Sequence, residues 1–514
     1  MERRSLTFLT FKNISYNMIG YIWPMFFTLF ITPVVIFRLG VKNYGIYLFV
    51  NAIIALFGLL DLGLATATTK HMSYYYGKGD TSSIRTLTHS ANSLFFIIGC
   101  AGFLLSVAIA FLGPHILPTQ FASYQQYAIL FMIGGAIFFV TAASNTYTTI
   151  LTALQRFDIS NKIGIISLTA SSLGILIVVL MGGSLTGMFL VQLLITTVTN
   201  TVIIFKARKI LPEATFLFGW NKKEIKHCYR FGFVVFINGI ASTALASLDR
   251  LIIPFYVGPS NLTYYSIPGS VTGKIPGISN TLGATMFPTT SQLDGSRDKQ
   301  QIEILYVRSF RLITIAAAAF SVTSIAFAYK ILLYWLNADF ANHSSQILVI
   351  LAFTNFILAL FGPLSSFLLG LNKIKFLTAM SVTMGVLNAI LLVILLPRYG
   401  ITGAAWAYLI SVLPVIYVFY YTEKTYLTLL GRKRYYIKKI LGTLLVSSIV
   451  WLLDTYILSS LITNLITLLL IGTCSVMLYL ILYKLLGFFD PTDWTDIEKF
   501  SKEILRKIKN PKIA

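Results

Sequence analysis

Apolar segments of about 20 residues recur from one end of this chain to the other, and nothing else in the sequence constrains the fold as strongly. About 20 apolar residues are needed for a helix to cross the roughly 30 Å hydrocarbon core of a bilayer. Lipid offers no hydrogen bonds to the backbone, so a spanning segment must be a helix or a strand of a closed barrel. In a barrel strand apolar and polar residues alternate, whereas the apolar runs here are continuous and therefore indicate helices. The sequence therefore predicts an all-α integral membrane protein.

Composition agrees with this fold class. Only 11% of the 514 residues are charged, against roughly a quarter in a soluble domain. The net charge of +22 would suggest nucleic-acid binding in a soluble protein, but here the basic residues lie between apolar segments, so we predict no nucleic-acid partner. We count fourteen transmembrane helices, at about 16–37, 44–66, 88–112, 126–150, 163–181, 186–205, 231–257, 263–287, 309–334, 346–369, 376–396, 402–420, 439–457 and 463–486.

The distribution of basic residues gives the orientation. Cytoplasmic loops carry an excess of Lys and Arg. If the N-terminus is cytoplasmic, 34 of the 40 basic residues fall in inner segments. An even number of spans then also places the C-terminus in the cytoplasm.

Two halves of the chain resemble each other. At an offset of 218, Phe37, Gly40, Asn43 and Tyr47 match Phe255, Gly258, Asn261 and Tyr265. At an offset of 217, Leu151, Leu154, Gln155 and Arg156 match Leu368, Leu371, Asn372 and Lys373. Six spans per half give parallel repeats about an axis along the membrane normal, with substrate expected between the halves.

The predicted organisation is therefore two pseudo-symmetric six-helix lobes followed by two extra helices. The segments are an N-terminal lobe (1–206), a cytoplasmic linker (207–230), a C-terminal lobe (231–420), a basic cytoplasmic loop (421–438), transmembrane helices 13 and 14 (439–486) and a cytoplasmic tail (487–514). The tail has the pattern of a basic amphipathic helix, which either lies on the anionic inner membrane surface or packs on the inner loops.

Enzyme motifs are missing. The sequence has no phosphate-binding loop of the G-x-x-x-x-G-K-[ST] type, no large outer loop that could hold a catalytic site, and no close spacing among Cys100, Cys228 and Cys474. We therefore predict a protein that is not an enzyme and that has no catalytic residues, metal site or cofactor. Its energy would come from an ion gradient, the membrane potential or consumption of the product.

Charged residues inside the predicted spans are the candidate site, because each is costly unless it faces the bundle interior or a wet cavity. These residues are Asp61, Asp249, Arg250 and Lys274. Lys274 lies about 11 residues into its span, at a depth of about 17 Å, close to the midplane. Asp249 and Lys274 could form a structural ion pair, or the cations could bind an anionic headgroup. Asp61 could instead cap or snorkel, and Arg38 could anchor the outer interface.

The eighth span has an unusual backbone. Gly269, Gly273 and Gly277 are spaced four apart along one face, beside Pro268 and Pro276. Small residues permit close helix packing, and Gly with Pro also permits the bending that a gated transporter uses.

Several short motifs resemble one family. Arg38-Leu39-Gly40 with Tyr44-Gly45-Ile46-Tyr47 is similar to the opening of the O-antigen and capsule repeat-unit flippases of the multidrug/oligosaccharidyl-lipid/polysaccharide (MOP) exporter superfamily. Further matching motifs are Asp61-Leu62-Gly63, Gln155-Arg156-Phe157, Asp249-Arg250, Tyr264-Tyr265 and Gly400-Ile401-Thr402-Gly403-Ala404. Lys70 stands where that family often has arginine.

This resemblance implies a V-shaped exporter with a cation-lined central cavity in a bacterial cytoplasmic membrane. It implies an undecaprenyl-diphosphate-linked glycan as substrate, a coupling ion (H⁺ or Na⁺), and contacts with membrane lipids, a polysaccharide polymerase and a chain-length regulator. The expected substrate-binding residues are Arg250, Lys274, Asp249 and Asp61, and the accessory cations are Arg38, Lys70 and Arg156. The alternatives are a flippase for peptidoglycan or teichoic-acid precursors and a multidrug exporter of the same superfamily.

Overall fold

The computed structural model describes residues 23, 27–116, 124–277, 279, 286, 290, 291, 293, 294, 299–426 and 432–489. Within these ranges the regular secondary structure is entirely helical, which confirms the predicted fold class. The chain divides into two compact units, Met1–Thr263 and Tyr264–Ala514. The predicted amphipathic helix of the tail lies outside the described residues.

The first unit contains eight described helices and the start of a ninth. They are α1 (Phe27–Leu39), α2 (Val41–Leu56), α3 (Leu64–Lys78), α4 (Thr81–Ile116), α5 (Tyr124–Ala153), α6 (Phe157–Leu180), α7 (Leu185–Ile210), α8 (Lys222–Val257) and the beginning of α9 (Pro259–Thr272). In its core, α4 packs on α5, α5 on α7, and α3 on α5 and α8.

The second unit contains the end of α9 and seven further described helices. They are α10 (Lys299–Ala326), α11 (Ala328–Trp335), α12 (Ala338–Gly370), α13 (Ile374–Val412), α14 (Pro414–Tyr426), α15 (Arg432–Tyr456) and α16 (Leu465–Leu485). α12 packs on α10, α11 and α13, and the terminal pair α15–α16 packs on α10.

Ten helical stretches of the described residues are long and apolar enough to cross a membrane. One of them, Ile374–Tyr426, is 53 residues long. At about 1.5 Å per residue it would extend about 80 Å, more than twice the hydrocarbon core, so it holds two crossings. The break between them is Gly400, whose φ of 59° favours glycine. The total of fourteen spans stays a prediction.

Large apolar side chains cover the outer surfaces of these helices. Leu104, Phe205 and Ile466 are more than three-fifths exposed, as is Ile416. In water such a surface would aggregate, whereas in a bilayer it meets lipid tails of equal polarity. The chain is therefore a multi-pass membrane protein.

Polar residues define where several helices begin. Asp80 precedes α4 and accepts a hydrogen bond from the Ser83 N–H at 3.0 Å, which is the usual N-cap arrangement. Hydrogen bonds from Ser83 and Ser82 lower the pKa of Asp80 to about 2. Asparagines cap three other helices in the same way: Asn221 before α8, Asn337 before α12 and Asn464 before α16.

The repeat in the sequence is also a repeat of backbone conformation. Gly40 and Gly258, which are 218 residues apart, have φ values of 83° and 90° and separate consecutive helices. Three residues later, Asn43 and Asn261 each donate a side-chain hydrogen bond to the carbonyl four residues earlier. The same corner is therefore built twice, once in each half of the sequence.

A second corner recurs at the offset of 217. Gln155 and Asn372 have φ values of 56° and 58°, left-handed conformations that non-glycine residues rarely adopt. The N–H groups of Arg156 and Lys373 each donate to the carbonyl five residues earlier at 2.9 Å. These bonds satisfy carbonyls at the ends of α5 and α12, as in a Schellman motif.

The second predicted span, 44–66, is not one continuous helix. α2 continues into a 3-10 turn, Phe57–Asp61, and then stops at Leu62 and Gly63, whose φ values are 49° and 76°. Two successive left-handed residues cannot continue a right-handed helix, so α3 begins as a new element at Leu64.

Candidate functional site

Lys274 lies at an interruption in the eighth predicted span, the span whose Gly and Pro residues were expected to permit bending. α9 ends at Thr272, Gly273 and Lys274 form a turn, and residues 275–277 are helical again. Pro276 explains the break, because a proline has no N–H and its ring clashes with the carbonyl four residues earlier, here that of Thr272. Lys274 is half-buried at this turn.

The interrupted segment is held against α12 by polar contacts. The Asn355 side-chain amide donates to the Thr272 hydroxyl at 3.1 Å, and Thr272 in turn donates to the Pro268 carbonyl at 3.0 Å. Nearer the start of α9, the Ser344 hydroxyl donates to the Tyr264 carbonyl at 2.8 Å. These hydrogen bonds fix the position of the turn, so the backbone that carries Lys274 has a defined place in the second unit.

Asp249 and Arg250 are adjacent on α8 but differ in environment. Asp249 is buried, with 8% of its surface exposed, and its carboxylate accepts a hydrogen bond from the Arg250 N–H at 2.9 Å. The Arg250 side chain is exposed and lies within electrostatic reach of the Tyr44 hydroxyl. Of the two, Arg250 is therefore the one accessible to a ligand. The pairing of Asp249 with Lys274 stays a prediction.

Asp61 has a structural role at the junction of two elements. Its carboxylate oxygens accept the Ala65 N–H at 3.1 and 3.3 Å, at the start of α3. A carboxylate at a helix N-terminus satisfies an N–H that has no partner within the helix and interacts favourably with the helix dipole. The capping alternative for Asp61 therefore has direct geometric support, while substrate contact stays a prediction.

The three accessory cations occupy different surroundings. Arg156 makes a two-pronged ion pair with Asp158, with N···O distances of 3.0 and 3.1 Å. The Asp158 carboxylate therefore offsets the charge of Arg156 and orients its guanidinium group at the N-terminus of α6. Arg38 near the end of α1 and Lys70 on α3 are both exposed. Whether any of the three meets substrate stays a prediction.

One intramembrane carboxyl group was missed in the sequence. Asp454 lies on α15 within the thirteenth predicted span and is completely buried. A count of every acidic residue inside the apolar runs would have found it, since it is the acidic residue of the stretch Lys439–Tyr456. Its partners, described below, come from two other helices and have no signature in the local sequence.

Comparison with known proteins identifies the family. The model of the polysaccharide biosynthesis protein family matches residues 38–345, more than half of the chain. An O-antigen transporter from Shigella flexneri is 22% identical over 406 residues, covering 78% of this chain and 94% of that protein. A low-salt glycan biosynthesis flippase from Haloferax volcanii is 26% identical over 191 residues, covering 37% of this chain and 40% of that protein.

Solved structures share the fold. An inward closed lipid II flippase superimposes with a TM-score of 0.72 at 16% identity, covering 93% of this chain and 99% of that structure. An outward-facing multidrug transporter of the MOP superfamily gives a TM-score of 0.56 at 13% identity, covering 80% and 95%. At sequence identities of 16% and 13%, these structures show a shared fold and do not by themselves assign a function. Together with the family match, the shared fold shows that the chain belongs to the polysaccharide biosynthesis protein family and has the transporter fold of the MOP superfamily.

Proposed function

We propose that this protein is a flippase that moves an undecaprenyl-diphosphate-linked oligosaccharide repeat unit of an O-antigen, capsule or exopolysaccharide. Transport runs from the cytoplasmic to the outer face of the cytoplasmic membrane by alternating access. The observation that carries the proposal is the family match together with Lys274, a half-buried cation at a helix interruption in a predicted transmembrane span. The O-antigen transporter of Shigella flexneri, which aligns along most of both chains, supports a glycan substrate.

The chemistry of the substrate explains why cations matter. A diphosphate carries negative charge that must leave water when the headgroup crosses the bilayer, and an unpaired charge there is costly. A lysine ammonium is a compact charge on a flexible stem, suited to a phosphate that moves. Discontinuous membrane helices commonly form such sites, because non-helical backbone is tolerated where it lines a cavity. Exposed Arg250 would supply a second cation, with Asp249 adjusting its position.

Two alternatives act on related substrates or share the fold. A peptidoglycan- or teichoic-acid-precursor flippase would also recognise a lipid-linked phosphate, and the lipid II flippase is a fold neighbour. A multidrug exporter would need an acidic cavity for cationic drugs, whereas Arg250 and Lys274 favour an anionic ligand. The glycan substrate is preferred because the family match and the aligned O-antigen transporter both concern polysaccharide.

Loss of the protein tests the proposed function directly. In a deletion strain with no substitute flippase, the lipid-linked repeat unit is expected to accumulate on the cytoplasmic face and the surface polymer to disappear. Surface polysaccharide is measured by gel profile, and the sidedness of the intermediate by lectin labelling of oriented vesicles. Normal surface polymer in that strain would refute the function, while re-expression of the full chain is the matched control.

We also propose that both termini are cytoplasmic, that H⁺ or Na⁺ drives transport, and that a polymerase and a chain-length regulator act on the product. Orientation is the part most easily tested. Reporter fusions after Leu211, Asp294 and Arg432 are expected to report a cytoplasmic position, since basic residues flank all three. Fusions near Pro118, Asn261 and Asn342 are expected to report an external position. Reversal of two or more reporters would contradict the fourteen-span topology.

A further inference from the structure

A chain of hydrogen bonds joins three helices of the second unit around a buried carboxyl group. Asp454 on α15 has no exposed surface, and its Oδ2 lies 2.6 Å from the Ser475 hydroxyl on α16. The Ser475 hydroxyl lies 2.8 Å from the Thr323 hydroxyl on α10, which donates to the Ala319 carbonyl at 2.9 Å. The other carboxyl oxygen, Oδ1, is buried without a hydrogen bond from the described residues.

Counting the protons in this chain of hydrogen bonds assigns the protonation state of Asp454. A hydroxyl group has one proton to donate, and a carboxylate can only accept. Three hydrogen bonds are present: Thr323 to Ala319, Ser475 to Thr323, and the contact between Ser475 and Asp454. The two hydroxyl groups supply two protons, since Thr323 uses its own on Ala319 and Ser475 must then donate to Thr323. Placing the third proton on the carboxyl group of Asp454 is the arrangement that satisfies all three contacts at once.

The electrostatic surroundings agree with a neutral acid. Arg311 on α10 is 12 residues, or about 18 Å, from Thr323, and Lys484 on α16 is nine residues, or about 14 Å, from Ser475. Lys330 on α11 lies over the ring of Tyr334 at 5.6 Å. The other charged or titratable residues on α10, α11, α15 and α16 are Lys299, Glu303, Tyr306, Arg308, Tyr329, Arg432, Lys433, Arg434, Tyr435, Tyr436, Lys438, Lys439, Tyr456, Cys474, Tyr479 and Tyr483.

We propose that Asp454 is a proton-binding site within the membrane-spanning part and that its acid proton is donated to Ser475. The proton completes the hydrogen-bonded chain that fastens the terminal helix pair α15–α16 to α10. If Asp454 were ionised, one of the three contacts would have no proton to form a hydrogen bond. The carboxylate charge would also be fully buried, and an unpaired buried charge is costly. The proposal concerns the state of the protein itself and is independent of the substrate.

Infrared spectroscopy of the purified full-length protein in detergent at neutral pH tests it. The wild type is expected to show a carbonyl stretch of a protonated carboxylic acid that is lost in Asp454→Asn. Asp158→Asn is the matched control, because Asp158 is ion-paired with Arg156 and should contribute no such band. Loss of a carboxylate band instead of an acid band in Asp454→Asn would overturn the proposal.

A second pair of measurements tests the same hydrogen bond independently of the infrared spectrum of Asp454→Asn. Ser475→Ala removes the acceptor of the acid proton, so the acid band is expected to remain and to shift to higher frequency. Persistence of an unshifted band, or its absence, would contradict the assigned hydrogen bond. Thermal unfolding should be nearly unchanged in Asp454→Asn, whose amide can donate to Ser475, and clearly lowered in Asp454→Ala. Equal destabilisation by Asn and Ala would exclude a donor role for this side chain.

Discussion

Replacement of Lys274 by alanine is expected to abolish transport while the protein remains in the membrane at normal abundance. The reason is that, in the proposed function, the ammonium group of Lys274 would supply compensating charge for the diphosphate inside the membrane. Surface polymer should fall at least tenfold, which corresponds to about 1.4 kcal/mol of lost stabilisation in the rate-limiting state. Lys274→Arg should keep partial activity, because a mobile phosphate needs charge more than a fixed fork geometry. Membrane abundance and surface polymer are measured on the same cultures.

The structural alternative makes the opposite forecast. If Lys274 is the permanent partner of Asp249, removing it strands a buried carboxylate at a cost of about 3–5 kcal/mol. Abundance would then fall, and the Asp249→Ala/Lys274→Ala double variant would restore it. Lys330→Ala is the matched control, since that ammonium lies over an aromatic ring at 5.6 Å and is expected to leave transport intact. If the Lys274→Ala protein is present at normal abundance and the cells carry normal amounts of surface polymer, Lys274 does not act on the substrate.

Substitution of Gly45 by a larger residue is expected to damage the fold of the first unit severely. Helix α2 passes so close to the start of α9 that a Cβ on Gly45 would overlap the Pro259 carbonyl oxygen and lie 2.9 Å from the Thr263 hydroxyl oxygen. Thr263 also donates to the Val41 carbonyl at 2.8 Å, which holds the two segments at this distance. Overpacking of a tight contact costs about 1–3 kcal/mol, and the obstacle here is backbone that cannot rotate away.

The expected result is a lowered unfolding temperature for Gly45→Ala and little folded protein for Gly45→Val. Gly164→Ala is the matched control, because Gly164 lies inside α6 with open space where the Cβ would be. That change should be neutral or stabilise by about 0.5–1 kcal/mol, since alanine loses less entropy in a helix. Thermal unfolding of the detergent-purified variants is the measurement. A Gly45→Val protein as stable as the wild type would show that this close approach is unimportant.

The glycines and asparagines of the repeated corners show which backbone conformations can be predicted from local sequence. Gly40 and Gly258 matched in the sequence, and both have a positive φ, 83° and 90°, in the structure. The pair Gln155 and Asn372 behaves in the same way. A third pair, Gly182 and Gly400, has φ values of 76° and 59° at the same offset of 218 but was not recognised from sequence.

The sequence by itself determined that the chain is an all-helical membrane protein, because the transfer of apolar segments into lipid depends on composition and length, which are local. It also predicted Lys274, Asp249, Arg250 and Asp61 as charges inside transmembrane spans. Their roles depended on tertiary structure, since a hydrogen-bond partner is chosen by position in space. The break at Lys274 involves Pro276 nearby but is anchored by Asn355 on another helix. Asp454 acquires its proton only because Ser475 and Thr323, from two other helices, meet it in the core.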